Sequence, residues 1–272
     1  MKESLKKTAY GLLNKFVECG SKQPKTKILM YHGICPEHFQ SHLCYLTSTL
    51  EVVSLEAGLQ ELGKSQVVIT IDDGYRKDAE AAYPLLKRFG LRATLFITYE
   101  FADQNSFAWW DRMTACRKHA SHFRLKCLPA DELERRVEKI TGLTKRDKKP
   151  SKYDFLAWEE LVRMADVFDY GSHSETHPIL TSISPEDAWK EIEGSKHKIE
   201  KKIGLPVRAF AYPNGNYSTS IREMVKAAGY RCAVTTRRGS NRAQSDAFSL
   251  RRWGIGAAEN MDVFTFKITS PI

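Results

Sequence analysis

The amino-acid sequence predicts an α/β fold in which a parallel sheet closes into a barrel. Segments with strand and helix patterns alternate along the chain. The strand segments are continuous apolar runs, and Val67–Ile71 is rich in β-branched residues. Such runs are typical of strands that are covered on both faces. Repeated strand–helix units therefore indicate a parallel sheet, and 272 residues suffice for one domain with a large core.

The expected elements follow one another in a regular order. The strands are predicted at residues 27–33, 67–71, 92–97, near 171, 207–212 and 232–235. The helices are predicted at residues 76–89, 158–164, 184–203 and 220–228. Gly90 as a C-cap and Ser184 as an N-cap support these limits. Pro84, inside the helix at residues 76–89, is expected to kink it.

Residues 99–152 interrupt this alternation. They contain the pair Trp109-Trp110 and a charged stretch from Asp131 to Lys152. In a parallel barrel, long loops at the carboxyl ends of the strands border the active site. We therefore expect a partly helical insertion that rises beside such a site.

Residues 1–26 form a separate N-terminal segment ahead of a domain at residues 27–272. Apolar residues at helical spacing make one stripe, and four lysines lie off it. The members of the stripe are Leu5, Ala9, Leu12, Leu13, Phe16 and Val17. Two interpretations remain open: a helix packed on the domain, or a basic amphipathic helix on an anionic membrane surface.

Composition limits the class of protein. No stretch approaches the roughly 18 unbroken apolar residues of a membrane span, and no apolar signal-peptide region follows Met1. The expected location is the cytoplasm, with the N-terminal segment as a candidate membrane contact. The six cysteines are scattered and are expected to be reduced and mostly buried. A net charge of +9 favours polyanions, but without a nucleic-acid motif we expect no nucleic-acid partner.

Polar residues follow three of the predicted strands. They are Asp72-Asp73-Gly74, the segment from His173 to His177, and Tyr212-Pro213-Asn214-Gly215. Each segment alone could be an ordinary turn or surface loop. The carboxyl ends of parallel strands share one edge, where active sites of such folds lie, so the three together predict a site.

The residue types indicate a metal centre. Two histidines at positions i and i+4 point the same way if their segment makes one helical turn. Two imidazoles and one carboxylate form a common set of ligands for a divalent metal that keeps open positions. Adjacent carboxylates at a strand end repel each other and are costly to desolvate.

These segments resemble three successive motifs of the polysaccharide deacetylases, the NodB-homology family of carbohydrate esterases (family 4). The matching segments are residues 69–75, 171–178 and 210–215. Residues 28–33 resemble the N-terminal motif of the branch that acts on exopolysaccharides. The resemblance spans about residues 27–255 and implies a distorted (β/α)7 barrel.

The resemblance also implies roles for single residues. Asp73, His173 and His177 would bind one divalent metal ion, usually zinc. Asp72 would be the general base toward the attacking water. The backbone N–H of Asn214 would help to stabilise the oxyanion. Contacts to the substrate would come from Tyr75, Tyr212 and Pro213.

The sequence departs from the family pattern at two points. No histidine follows His197, so the C-terminal histidine that serves as general acid in many members is missing. His32, at the end of the first predicted strand, is the candidate acid, although it could also be a core histidine. The arginine that usually precedes the third-motif proline is missing too, and Arg208 and Arg252 are candidate substitutes.

The activity implied by the resemblance is metal-dependent removal of the N-acetyl group from an amino sugar. The substrate would be a cell-surface polysaccharide or its precursor, which could be nucleotide-linked or lipid-linked. Two alternatives remain open from the residues themselves. One is a deformylase or another amide hydrolase on the same scaffold, and the other is a non-catalytic sugar-binding relative.

Overall fold

The scaffold of the chain is a curled parallel β-sheet. The computed structural model describes residues 25–60, 64–118, 125–126 and 128–270. Within these residues the strands are β1 Thr26–His32, β2 Glu51–Val53, β3 Gln66–Ile71, β4 Ala93–Ile97, β5 Phe168–Ser172, β6 Ala209–Ala211, β7 Cys232–Val234 and β8 Trp253–Gly256.

Seven of these strands lie side by side in the order β7, β6, β5, β4, β3, β1 and β8, and every pairing is parallel. β2 pairs separately with β3. The two ends of the row meet, because Leu250, just before β8, forms a parallel bridge with Val234 of β7. The amide of Thr235 donates to the carbonyl of Leu250 at 2.8 Å. The predicted distorted (β/α)7 barrel is confirmed.

The central strands are buried on both faces, as their continuous apolar runs predict. Every residue of β3 and β4 is buried. Side chains that point into the barrel pack on one another, and those that point outward pack under the helices. Each fully buried valine or isoleucine contributes about 1.5–3 kcal/mol, so this arrangement fixes the register of the strands.

The helices lie around the barrel and in the insertion that follows β4. They are α1 Pro36–Thr49, α2 Arg76–Phe89, α3 Tyr99–Gln104, α4 Trp109–Ala115, α5 Ala130–Thr141, α6 Trp158–Arg163, α7 Pro185–Trp189, α8 Ser195–Ile203, α9 Thr219–Ala227 and α10 Met261–Thr269. A π-helical stretch, Lys190–Gly194, joins α7 to α8. The predicted helix over residues 184–203 is therefore present, but with a wider turn in its middle.

The predicted helix limits agree with the structure. Gly90 ends α2 with a φ of 64°, and its N–H donates to the carbonyls of Leu86 and Lys87. The hydroxyl of Ser184 accepts a hydrogen bond from the amide of Asp187 at the start of α7. α2 runs through Pro84 without interruption.

The insertion between β4 and β5 contains α3, α4, α5 and a short 3-10 turn at Ser151–Tyr153. It has an apolar cluster of its own, which consists of Trp109, Met113, Leu125 and Val137. A second cluster joins the insertion to the barrel and consists of Tyr75, Phe101, Ala108 and Phe155. The insertion is therefore a packed wall on the barrel.

The expectations for the N-terminal segment, the cysteines and membrane spans have different outcomes. The N-terminal segment lies outside the described residues except for Lys25 and Thr26, and Thr26 already belongs to β1. Cys19 and Cys127 also lie outside them. The four described cysteines are free thiols, as expected, but only Cys232 among them is buried, so the expectation of mostly buried cysteines is wrong for these four. Among the described helices, none combines the length and apolarity that crossing a membrane requires.

Candidate active site

The polar segments predicted from the sequence meet at one edge of the barrel. His32 ends β1, Asp72 and Asp73 follow β3, and His173 follows β5. Asn214 lies in the turn after β6. Because the strands are parallel, all of these positions lie at their carboxyl ends, where sites of such barrels are found.

Three side chains form a candidate metal centre. The carboxylate Oδ1 of Asp73 lies 3.6 Å from Nε2 of His173 and 3.7 Å from Nε2 of His177. The two Nε2 atoms are 3.3 Å apart. Ligand atoms about 2.0–2.1 Å from a tetrahedral ion are separated by roughly 3.3 Å, so the three atoms fit one divalent ion.

The hydrogen bonds of the histidines suit this role. Nδ1 of His173 is 2.7 Å from the carbonyl oxygen of Ala211, which leaves Nε2 for a ligand bond. Burial, and next the charge of His173, lower the pKa of His177 well below its usual value. A neutral imidazole is the form that binds a metal.

The two histidines converge without a helical turn. One such turn would align histidines at i and i+4, but the segment from His173 to His177 is a bend without helical structure. Ser174 and His177 have φ values of 70° and 64°, in the left-handed region. The hydroxyl of Ser174 accepts a hydrogen bond from the amide of His177 at 3.0 Å, which closes the bend.

A carboxylate from the π-helical stretch holds this bend from outside. Oε2 of Glu191 accepts hydrogen bonds from the amides of Glu175 and Thr176, each at 2.8 Å. Oε1 accepts one from the hydroxyl of Thr176 at 2.6 Å. π-Helical turns are frequent near functional sites because the extra residue redirects side chains. Sequence reasoning missed Glu191, which carries no local motif.

Asp72 is paired with a buried arginine. Both Oδ atoms accept hydrogen bonds from the guanidinium of Arg252, each at 2.7 Å, and Asp72 is only 2% exposed. Burial alone would raise the pKa of Asp72, but the charges of Arg252 and His32 outweigh it and hold the pKa well below its usual range. Asp72 is therefore ionised and fixed in orientation.

Of the two candidate substitutes for the missing arginine, only Arg252 reaches the site. Its Nε donates to the carbonyl of Thr235 at 2.8 Å, and one terminal nitrogen also donates to the hydroxyl of Thr70. Arg208 is exposed and pairs with Glu56 instead.

His32 ends β1, which pairs with β3 on the side away from β4 and β5, so it flanks the two aspartates on the other side from His173. Its Nε2 is 3.8 Å from Asp72 and 4.0 Å from Asp73, and its side chain is half-exposed, so it is not a core histidine. The carboxylate of Asp78 accepts hydrogen bonds from the amides of Gly33 and Ile34, which fixes the turn after β1. Sequence reasoning missed Asp78.

The other histidines are not near this centre or lie outside the described residues. His38 contacts the carbonyl of Ala257, His42 is buried against Phe264, and His197 pairs with Glu193 on the outside of α8. His119 and His122 fall outside the described part of the chain.

The remaining predicted residues take different positions. Asn214 and Tyr212 line the cleft above the aspartates. Asn214 is exposed and has a φ of 57°, whereas Tyr212 is buried and donates to the carbonyl of Phe248. Pro213 is buried in the 3-10 turn and is not among the lining residues.

Tyr75 lies beneath the insertion rather than in the wall of the cleft. Its hydroxyl donates to Asp111 at 2.6 Å and accepts from Nε1 of Trp110 at 2.7 Å. Burial raises the pKa of Asp111 to about 6, against the effect of the hydrogen bond from Tyr75. The ring of Trp110 lies 4.8 Å from the ring of His177, so this network connects the insertion to the candidate metal centre.

The site opens into a cleft of about 640 Å³. The barrel contributes the polar floor with the two aspartates and three histidines. The insertion contributes aromatic side chains, among them Phe101, Phe107, Trp109 and Trp110. A volume in the range of roughly 300–1,000 Å³ is typical of sites for small ligands.

Comparison with known proteins identifies the family. The family model described as polysaccharide deacetylase matches residues 60–233, which is more than half of the chain. The chain belongs to the polysaccharide deacetylase family. The matched range contains Asp72, Asp73, His173, His177 and Asn214.

Individual relatives are distant in sequence. The chain is 23% identical to YxkH of Bacillus subtilis (strain 168), a protein named as a polysaccharide deacetylase, over 92% of this chain and 78% of YxkH. It is similar in fold to the Streptococcus pyogenes deacetylase PplD in complex with acetate (TM-score 0.64, 20% identity, 87% of this chain and 95% of that one). It is also similar to IcaB from Ammonifex degensii (TM-score 0.66, 17% identity, 91% and 96%). At this identity, the two structures support the fold alone.

We expect Arg252→Met to destabilise the protein by about 3–5 kcal/mol, because it leaves the buried charge of Asp72 without a partner. The control is Arg208→Met, which removes an exposed ion pair and should cost less than about 1 kcal/mol. Urea unfolding of both variants measures the free energies. Equal stability of the two variants would contradict the central role of the Arg252–Asp72 pair.

We expect Glu191→Gln to weaken Zn²⁺ binding roughly tenfold, because an amide cannot accept all three hydrogen bonds that hold the His173–His177 bend. The matched control is Glu193→Gln, in the same π-helical stretch, whose carboxylate pairs with the exposed His197. Competition with a chromophoric chelator measures both affinities. Unchanged affinity in Glu191→Gln would show that the bend holds its shape without this carboxylate.

Proposed function

We propose that the chain is a metal-dependent deacetylase that hydrolyses the N-acetyl group of an amino sugar. The substrate is a cell-surface polysaccharide or its precursor. The observation that carries this proposal is the convergence of Asp73, His173 and His177 beside a separate, ionised Asp72 at the floor of one cleft. Membership of the polysaccharide deacetylase family supports it.

The ligand set favours zinc. Two imidazole nitrogens and one carboxylate oxygen suit a tetrahedral ion with one open position, and zinc commonly takes this set. When bound, such an ion polarises the amide carbonyl and makes a water molecule more acidic. Asp73, His173 and His177 would hold the ion, while Asp72 would stay free of it.

Asp72 acts as the general base in this proposal. Arg252 occupies one side of its carboxylate and keeps it ionised, so the carboxylate is ready to accept a proton. Its low pKa makes it a weak base, and its contribution therefore depends on position more than on basicity. The adjacent Asp73 would be neutralised by the ion, so the two neighbouring carboxylates have separate roles.

His32 acts as the general acid. The nitrogen of the sugar leaves poorly unless it is protonated, and an imidazole titrates near neutral pH in ordinary surroundings. His32 faces the aspartates from the side opposite His173 and is open to the cleft. Its place at the end of β1 matches the histidine of the exopolysaccharide branch, which supports assignment to that branch.

The remaining contacts would bind the tetrahedral oxyanion and the sugar. The backbone N–H of Asn214, in the turn after β6, is the donor proposed for the oxyanion. Tyr212 lines the cleft and would contact the substrate. Tyr75 and Pro213 would affect substrate binding indirectly, because Tyr75 supports the insertion and Pro213 supports the turn that bears Asn214. The sugar could carry a nucleotide or a lipid, since the cleft is open at its outer side.

The decisive experiment separates the metal ligands from the base. His177→Ala should lose tight Zn²⁺ binding and acetate release together. Asp72→Asn should keep the metal but lose turnover by about 100-fold or more, as expected for a general base. Metal analysis, acetate release and thermal unfolding are measured on each variant. Loss of metal from Asp72→Asn would show that Asp72 is the metal ligand and Asp73 the base. Release of formate in place of acetate would favour a deformylase.

A second prediction concerns His32. His32→Ala should retain fold and metal but lose turnover, because no other imidazole in the described part of the chain faces the aspartates from this side. The alkaline limb of the pH–rate profile should flatten, since that limb reports loss of the acid's proton. Normal turnover in His32→Ala would place the proton donor elsewhere.

A further inference from the structure

The insertion supplies most of the cleft wall that faces the candidate metal centre. More than half of the residues that line the cleft belong to it, and they run from Glu100 to Lys145. An open end of the barrel would let a long chain lie across the site. With this wall in place, the floor is reached through a pocket that is closed on one side.

The wall is held by polar contacts, some of them around a buried arginine. Arg112, fully buried, donates to Glu134 at 2.6 Å and to the carbonyl of Leu143. Lys145 pairs with Glu100 at 3.0 Å, which ties the end of the insertion to α3. These contacts join α3, α4 and α5, and the insertion narrows the cleft that its residues line.

A lysine bridges the cleft at its rim. Nζ of Lys126, in the insertion, donates to Oδ1 of Asn214 in the turn after β6, at 2.8 Å. Both residues line the cleft, so this hydrogen bond joins its two walls. A saccharide that continued on both sides of the ring at the site would have to displace this hydrogen bond.

The surfaces that remain suit a sugar ring. The rings of Trp109 and Trp110 line the cleft, and the carboxylates of Asp131 and Glu134 belong to the same lining. Apolar faces pack on the C–H faces of a sugar, while carboxylates accept hydrogen bonds from its hydroxyls. The volume of about 640 Å³ is that of a site for a small ligand.

We propose that the cleft accepts the terminal amino sugar of a short saccharide, one or two rings long, and excludes internal residues of long chains. This inference rests on the proposed deacetylase function. The insertion wall and the Lys126–Asn214 bridge are the specificity determinants. The sugar enters by its end, with its N-acetyl group toward the floor.

The test uses the full chain loaded with Zn²⁺ and N-acetylhexosamine oligomers of one to six units, in the glucose, galactose and mannose configurations. We expect kcat/KM for acetate release to reach its maximum at one or two rings. In longer oligomers, mass spectrometry should find acetyl loss only at a terminal ring. Acetyl loss from internal rings, or kcat/KM that keeps rising with length, would overturn the inference while leaving the deacetylase function intact.

A variant tests the bridge directly. Lys126→Ala should raise the kcat/KM of hexamers relative to dimers roughly tenfold, because it opens the rim to a longer chain. The control is Lys139→Ala, an exposed lysine of α5 that does not line the cleft and carries the same charge. Equal length preference in the two variants would show that the Lys126–Asn214 bridge does not set the length of saccharide that the cleft accepts. No acetate from any oligomer would overturn both this inference and the deacetylase function.

Discussion

The buried pair of Asp72 and Arg252 is the interaction on which the site depends. Removing two charges from water costs several kcal/mol for each, and only close, well-directed hydrogen bonds offset this cost. Arg252 meets the condition with two bonds to Asp72 and others to Thr70 and Thr235. It therefore ties β3 to the chain after β7. Because Asp73 follows Asp72 directly, fixing one carboxylate also fixes the direction of the other.

Strained backbone places the remaining ligands. Among the described residues, six other than glycine have a positive φ, and four of them lie at this site: Asp73, Ser174, His177 and Asn214. Such conformations cost about 1–3 kcal/mol each and persist only where the surroundings enforce them. Here the Ser174 hydroxyl and the Glu191 carboxylate enforce the bend that carries His177. The scaffold stabilises an arrangement that the isolated segment would not keep.

The insertion changes what the barrel can bind. A barrel end alone offers polar residues on a floor, and the insertion adds aromatic walls and a bridge to Asn214. The Tyr75–Asp111–Trp110 hydrogen bonds connect this wall to the segment that bears Asp73 and set Trp110 beside His177. The polar floor and the shape of the cleft therefore have separate structural origins, the floor in the barrel and much of the wall in the insertion.

The sequence by itself determined the class of barrel, six of the eight described strands and the strand-end motifs, but it did not predict β2, β8, α1 or α10. The predicted features are local, because apolar periodicity sets the elements and parallel strands bring their ends to one edge. It did not determine the bend at His173–His177, because the i, i+4 spacing is compatible with either a helical turn or a loop. Only the tertiary structure chose Arg252 over Arg208, since Arg252 is 180 residues from Asp72. The same holds for the contacts of Glu191 and Asp78 and for the Lys126–Asn214 bridge. Contacts between residues that are distant in sequence leave no local pattern.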